Sequence, residues 1–143
     1  MPNQGRHAGI AVAPEAGMTP QELRDRTMAQ ALAVYRLTKP LMLPPSSRHV
    51  AHQLFRSATA VAANYRSACL GRSPQEFAAK LGVVREEADE MVFWLEFAEQ
   101  TGLTTGPVAR GLLAEARELT AIVSAAYRTT KARLENKKLS NNK

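Results

Sequence analysis

The chain has 143 residues, 45% of them apolar, which is enough for one domain with a single core and too little for two. No apolar run approaches the roughly eighteen residues of a membrane-spanning helix, so we expect no such helix, and Cys69 is the only cysteine, so no internal disulfide is possible. The formal net charge of +6 favours an acidic partner. Because the apolar segment 8–13 is too short for a secretion signal, we expect a cytoplasmic protein.

Residues 1–18 contain prolines and glycines without apolar periodicity, and we expect them to form a disordered tail. An alternative is that Met18 is the true start of the protein. The segment 19–22 matches a capping box around a first-turn proline, and it predicts a first helix from Pro20 to about Thr38, ending before Pro40. The residues expected to be buried on this helix are Leu23, Thr27, Gln30 or Ala31, Val34 and Leu37.

An apolar, proline-rich connector at 41–45 follows, and we expect it to lie across one end of the helices. Ser46 or Ser47 is then expected to cap a second helix. Apolar residues in this helix recur three and four positions apart, which is typical of one buried stripe. The residues of that stripe are Val50, Leu54, Ala58, Val61, Tyr65 and Ala68.

The third helix is predicted to begin at Ser73, which forms a second capping box with Glu76, and to end at Gly102. Its apolar residues have the heptad spacing of helices that pack nearly antiparallel. The residues of its stripe are Phe77, Leu81, Val84, Ala88, Met91, Leu95 and Ala98.

A fourth helix is predicted from Pro107, with a basic distal end and a frayed basic tail over 136–143. Its predicted buried side consists of Val108, Leu112, Ala116, Leu119, Val123, Ala126 and Thr130. Long helices joined by short connections place neighbours antiparallel. The sequence therefore predicts an all-α protein whose domain, residues 19–135, is an antiparallel up-down-up-down four-helix bundle.

The predicted outward side of the third helix is unexpectedly apolar. Ala79, Gly82, Phe93 and Phe97 lie opposite its core stripe, and Phe55 widens the apolar arc of the second helix. Exposed apolar patches of this kind mark partner surfaces, so we predict these five residues as an oligomer interface. The alternative is that the connector or the N-terminal tail covers the patch.

Charge is also segregated along the chain, because no acidic residue occurs between Asp25 and Glu76 whereas the third helix is rich in carboxylates. The arginines on the outward side of the second helix have two interpretations. They meet the acidic face of the third helix in a neighbouring subunit, or they present cations to phosphates. The candidate nucleic-acid-binding residues are Arg48, Arg56, Arg66, Arg72, Arg128, Lys131 and Arg133.

Motifs for catalysis or metal binding are absent from the sequence. The acidic cluster at 86–90 lacks the Glu-x-x-His pattern of di-iron bundles, and His49 and His52 have no Glu or Cys beside them. Neither a glycine-rich phosphate loop nor an activated nucleophile occurs. We predict no catalytic residue, no metal and no cofactor, and therefore a protein that is not an enzyme.

The segment Gln53-Leu54-Phe55-Arg56-Ser57-Ala58-Thr59-Ala60-Val61-Ala62-Ala63-Asn64, with Arg72-Ser73 and Glu76-Phe77 after it, resembles the signature of a bacterial four-helix bundle family. Its members are also called 23S rRNA intervening-sequence proteins, because some are encoded inside ribosomal RNA genes. The resemblance implies a cytosolic homopentamer with a basic surface that meets nucleic acid, and no established enzymatic activity.

The chain departs from the family pattern after Asn64, where most members continue Ile-Ala-Glu-Gly and this chain has residues 65–68, Tyr-Arg-Ser-Ala. Losing that glutamate and gaining Arg66 makes this face more basic. The predicted fold is also similar to the accessory protein of diversity-generating retroelements, a basic pentamer that binds a reverse transcriptase and nucleic acid.

Two functional hypotheses follow. The first is a non-enzymatic oligomeric module that binds RNA or DNA without reading sequence. The second is a structural assembly or protein-partner adaptor in which the arginines form ion pairs between subunits.

Overall fold

A computed structural model describes residues 17–143 of the chain. Within that range the protein is all-helical, with no strand, and has four α-helices and one 3-10 turn, Lys39–Leu41, after the first helix. The helices are α1 (Pro20–Thr38), α2 (Pro45–Cys69), α3 (Pro74–Gln100) and α4 (Pro107–Asn141). The all-α prediction with four helices is confirmed.

The predicted tail over 1–18 lies outside the described residues except at its end. Gly17 and Met18 are described, and Met18 packs against the hydrophobic core. The first helix follows at once, with its predicted capping box in place. The Glu22 amide donates to Thr19 Oγ1 at 3.1 Å, and the Thr19 amide donates to Glu22 Oε2 at 3.0 Å.

The cap of α3 is half of the predicted box. The Glu76 amide donates to Ser73 Oγ at 3.1 Å, as predicted. The Glu76 carboxylate, however, accepts from the amide of Arg72 at 3.3 Å and not from that of Ser73. The side chain thereby ties the helix start to the preceding turn.

The predicted serine cap of α2 is wrong. The residue before this helix is Pro44, which offers no side-chain cap, and α2 begins at Pro45. Proline has φ already fixed near the helical value and no amide to leave unpaired, so the helix begins ahead of both serines. Ser46 is exposed, and Ser47 donates its hydroxyl to the carbonyl of Leu41 at 2.7 Å.

The core stripes predicted for α2 and α3 are confirmed, since every residue named for them is buried. On α1 the predicted residues are buried except Leu37, which is half-buried, and Thr38 is buried one position later. Side chains of all four helices thus meet in one core around Tyr65 and Phe77.

The stripe predicted for α4 was one residue out of phase at its start. Val108 is 68% exposed, and Ala109 and Leu113 are buried in its place. They share a face with Ala116 at the i, i+4, i+7 spacing, whereas Val108 is rotated off that face by one residue step. Leu112 is only partly buried against the core.

The frayed tail predicted over 136–143 is helical as far as Asn141. The reason is that residues 131–141 include no glycine or proline and are dominated by good helix formers. Thr130 is the last buried residue, so the remainder of α4 extends past the core with its side chains largely in solvent.

Three of the four helices are linked by a buried amide. Gln30 of α1 is buried, donates through Nε2 to the carbonyl oxygen of Leu112 on α4 at 2.8 Å, and has the same nitrogen 3.9 Å from the sulfur of Met91 on α3. A buried amide is costly unless hydrogen-bonded, so the hydrogen bond to Leu112 favours one position of α1 against α4.

Among the described helices, none is both long enough and apolar enough to cross a bilayer.

Candidate nucleic-acid interface

The three arginines predicted as one outward stripe of α2 do not form one free surface. Arg48 and Arg66 are 18 positions apart, which corresponds to about 27 Å along the helix at 1.5 Å per residue. Arg56 lies between them and forms salt bridges with two carboxylates of α3 in the same chain. The stripe is therefore interrupted at its centre.

Arg56 forms salt bridges with Glu87 and Glu90. Its Nη1 lies 3.2 Å from Glu87 Oε2, and its Nη2 contacts Glu90 Oε1. The hydrogen bond to Glu90, and then that to Glu87, raises the pKa of Arg56. The same bond from Arg56 holds the pKa of Glu90 below its ordinary value, with a smaller contribution from the Trp94 indole. Arg56 is thus already neutralised within its own subunit.

Arg48 has a structural contact at the other end of α2. Its Nε and Nη2 donate to the carbonyl oxygens of Met42 and Leu43 at 3.2 Å and 2.7 Å. These bonds satisfy carbonyls of the connector that no helix uses. The charge of Arg48 remains exposed, but its guanidinium is oriented by the connector.

The other predicted cations gather where the α2–α3 turn meets the distal half of α4. Lys131 and Lys138 line a groove with Gln75 and Ala78 of the first turn of α3, which begins two residues after Arg72. Lys80 donates to Ser67 Oγ at 2.8 Å and so brings the end of α2 to the same place. The predicted cations on the last turn of α2, the α2–α3 turn and the distal part of α4 thus lie at one end of the bundle, although Arg66 faces a separate groove toward α1. We call this set the basic end, and its members are Arg66, Arg72, Arg128, Lys131, Arg133, Lys137 and Lys138.

The basic end is exposed and largely uncompensated. All of its members are exposed, and none forms a salt bridge within residues 17–143. Two carboxylates lie beside it. Glu135 lines the groove of Lys131 and Lys138 but forms no salt bridge with either. The Glu76 carboxylate is already hydrogen-bonded by the amide of Arg72 and then by the Lys80 side chain, and both bonds lower its pKa. The positive charge is therefore available to an external anion.

One cation of this region was missed from the sequence. Arg24 of α1 lines a groove of about 270 Å³ with Arg66 of α2, together with Asp25 and Met28. Its side chain donates to Gln21 Oε1 at 2.6 Å. Nothing in the sequence pattern indicates it, because its position beside Arg66 depends on how α1 packs on α2.

The five residues predicted as an oligomer interface lie in three places. Phe93 and Phe97 are 52% and 41% exposed on α3, with ring centroids 6.2 Å apart. Phe55 lies on α2 with its ring 5.6 Å from that of Tyr35 on α1. The third place is beside α4 of the same chain.

At that third place a Cβ added to Gly82 would lie 3.3 Å from Cε2 of Tyr127, so the absence of a side chain lets α3 and α4 approach closely. The Tyr127 ring in turn receives the Arg85 guanidinium, 4.6 Å from its centroid. Ala79 lines the groove that also holds Tyr127 and Lys131. Gly82 therefore has a packing role within the subunit.

The histidines of α2 and the acidic cluster of α3, considered from the sequence as metal ligands, do not form a metal site in the described residues. The ring of His49 lies edge-on to that of Trp94 at 5.5 Å. In the described part of the chain, no three His, Cys, Asp or Glu residues are grouped so that they could hold a metal ion. Three acidic residues of α3 act instead as ion-pair partners, Glu87 and Glu90 with Arg56 and Glu96 with Arg117.

Comparison with known proteins agrees with this helical architecture. The chain is similar to a protein of unknown function from the S23 ribosomal protein family of Bacteroides thetaiotaomicron VPI-5482, whose crystal structure superimposes with a TM-score of 0.70 at 24% identity. The alignment covers 76% of this chain and 97% of that one. No curated protein matches the chain. The family model of the 23S rRNA-intervening sequence protein matches residues 21–125. The chain therefore belongs to the 23S rRNA-intervening sequence protein family.

Proposed function

We propose that this protein is a non-enzymatic, homo-oligomeric four-helix bundle that binds RNA or DNA through backbone phosphates without reading sequence. The observation that carries the proposal is the basic end, where exposed cations from α2, the α2–α3 turn and α4 lie together without salt-bridge partners in the described residues. Cations in such an arrangement gain affinity from every phosphate they neutralise.

The binding is sequence-independent because the basic end has few groups that read bases. Gln75 is the one amide side chain that lines the groove of Lys131 and Lys138, and the exposed aromatic rings of Tyr35, Phe93 and Phe97 lie on other parts of α1 and α3. Phosphate contacts alone position a nucleic acid and carry no sequence information.

The assembly in this proposal is a bundle of antiparallel neighbours that associates into a homopentamer. Contacts along the α2–α3 pair support the antiparallel direction, since Ser67 meets Lys80 and His49 meets Trp94. The exposed aromatic pair of α3 supports self-association. The number five comes from the family resemblance.

A protein-partner adaptor is the second candidate, and the exposed aromatic patch of α3 favours it. From the sequence alone, this hypothesis rested on ion pairs between arginines and carboxylates of different subunits. The salt bridges of Arg56 argue against that basis, because its carboxylate partners belong to its own chain. The adaptor hypothesis therefore relies on the apolar surface and not on the arginines.

A salt titration tests nucleic-acid binding. Fluorescently labelled single- and double-stranded oligonucleotides of mixed sequence are titrated with wild-type protein between about 50 and 200 mM salt, where screening of exposed charges increases. We expect affinity to fall linearly on logarithmic axes, by roughly 0.7 to 0.9 per neutralised phosphate, with similar values for unrelated sequences. Failure to bind at about 50 mM salt would overturn the proposal and leave the adaptor hypothesis.

A further inference from the structure

Two apolar stripes remain uncovered on different helices. On α1, Met28, Leu32 and Tyr35 are 47%, 47% and 42% exposed and recur at the i, i+4, i+7 spacing of one helix face. On α3, Phe93 and Phe97 form the second stripe. α1 and α3 lie diagonally across the bundle, because α2 and α4 are the neighbours of both, so the two outward stripes lie on separate surfaces of the subunit.

Each stripe is ordered by neighbouring rings. The ring of Tyr35 lies 5.6 Å from that of Phe55, which extends the α1 stripe onto α2. On α3, the Phe93 ring is 4.9 Å from the Trp94 ring in an edge-to-face contact, and its plane is inclined by 29° to that of Phe97. Preorganised aromatic surfaces lose little conformational entropy on binding, which makes both stripes suitable for a partner.

The charges that border the stripes are of opposite sign. On α3 the exposed carboxylates of Glu86 and Asp89 precede Phe93 by seven and four residues, which puts them on its face, and they form no salt bridge within the described residues. Arg85 lines the same groove as these carboxylates, but its guanidinium lies over the Tyr127 ring. On α1 the exposed cations Arg36 and Lys39 follow the apolar stripe and likewise have no salt-bridge partner there.

The acidic residues of α1 lie at its beginning and are engaged locally. Glu22 accepts from the amide of Thr19, and Asp25 accepts from the side chain of Gln21 at 2.8 Å. The half of the α1 stripe that contains Leu32 and Tyr35 is therefore bordered by positive charge.

We infer that the two stripes are the complementary halves of one interface, with the α3 stripe of one copy seated on the α1 stripe of the next. The inference rests on the self-association in the proposed function and names the surfaces that form it. Pairing α3 with α3 would bring the carboxylates that border this stripe in two copies together, and pairing α1 with α1 would do the same for the cations Arg36 and Lys39. Only the head-to-tail pairing joins apolar surface to apolar surface and opposite charges to each other.

A mixing experiment with two single-face variants tests this pairing. Leu32→Glu damages the α1 stripe and leaves α3 intact, and Phe93→Glu does the reverse. By light scattering we expect each variant alone to have the mass of a monomer. An equimolar mixture should contain dimers of one Leu32→Glu and one Phe93→Glu copy, because one intact junction is restored. Leu43→Glu is the matched control, since Leu43 is 82% exposed outside both stripes, and it should assemble as the wild type does.

Charge reversal supplies a second measurement that does not disturb the apolar surfaces. Arg36→Glu alone and Glu86→Arg alone should each reduce the assembled fraction at low salt, and the two together in one chain should restore it. Circular dichroism melts of all variants verify that each is folded.

Three results would overturn the pairing: wild-type assembly by Leu32→Glu, a mixture that stays monomeric, or no recovery in the charge-reversed double variant. If Leu32→Glu assembles normally, only the pairing of surfaces fails and the proposed self-association stands. A monomeric wild type refutes both, and the salt titration reports separately on nucleic-acid binding.

Discussion

Arg56 of α2 and Glu90 of α3 are joined by a salt bridge within one chain, although the sequence places them 34 positions apart. Glu87 completes the carboxylate pair around the guanidinium. The acidic face of α3 is therefore partly compensated inside the subunit. Because its guanidinium is paired, Arg56 is less available to phosphates than the unpaired cations of the basic end.

Replacing Arg56 by Gln should leave nucleic-acid affinity almost unchanged and lower the free energy of unfolding by about 0.5 kcal/mol at pH 7. The loss is small because the Arg56 side chain is 47% exposed and its ion pairs are screened by solvent. Equilibrium urea denaturation measures it. A large loss of affinity would return Arg56 to the binding site.

The same substitution should lose its effect in acid. The pKa of Glu90 is lowered in the folded protein, so its contribution to stability is present above the ordinary glutamate pKa and is lost as pH falls through the lowered value. The unfolding free energies of the wild type and Arg56→Gln should therefore converge as the pH falls below the ordinary glutamate pKa of about 4.3. A difference that persists there would indicate that the guanidinium acts through packing.

Neutralising one cation of the basic end should weaken binding to every oligonucleotide alike. Arg66→Gln and Lys131→Gln should each reduce the logarithmic salt slope by roughly 0.7 to 0.9, which is the contribution of one phosphate. Arg110→Gln is the matched control, because Arg110 is exposed but lies 21 residues, or about 30 Å, from Lys131 along α4. Filter-binding titrations compare the three, and an equal loss in the control would mean that only net charge matters.

Removing the hydroxyl of Ser73 should destabilise the protein by about 1 kcal/mol, because it accepts the Glu76 amide at the start of α3. Ser46→Ala should have almost no effect, since Ser46 is exposed and α2 has no side-chain cap. Thermal and urea melts of the pair make the comparison. Equal losses would contradict the observed helix starts.

Tyr65→Phe should leave stability unchanged or raise it by up to about 1 kcal/mol. In the described structure its buried hydroxyl has no hydrogen-bond partner, although the Cys69 thiol lies close by. Burial disfavours the charged phenolate and so raises the pKa of Tyr65. An unsatisfied buried group costs free energy, so its removal is not a loss.

Leu81→Ala in the same core provides the contrast. Leu81 is fully buried, and its truncation should cost about 2 to 5 kcal/mol through lost burial and an unfilled cavity. Both variants are measured by urea denaturation. A loss above about 1 kcal/mol for Tyr65→Phe would show that its hydroxyl makes a favourable contact.

The stripes of α2 and α3 could be predicted because each has one dominant apolar face and a steady spacing. At the start of α4 the spacing is ambiguous, since Leu112 and Leu113 are adjacent and support two phases that differ by one residue. The packing of α4 against α3 selects the phase with Ala109 and Leu113. Local pattern does not contain that information.

The candidate site was predictable as a charge distribution but not as a geometry. Charge segregation along the chain indicated both the arginines and the carboxylates of α3. Whether Arg56 meets carboxylates of its own or another subunit depends on the register of α2 against α3, which is a tertiary property. The same holds for Arg24, which joins Arg66 only when α1 packs on α2.

The amide of Gln30 has a consequence for how uniquely α1 docks. Its neighbours on the helix interior are small or aliphatic, and such surfaces tolerate sliding by a turn with little change in burial. A slide would separate Nε2 from the carbonyl of Leu112 and strand a polar group in the core. Gln30 therefore favours one axial position of α1 against its neighbours, much as a single buried polar residue specifies the register of a coiled coil.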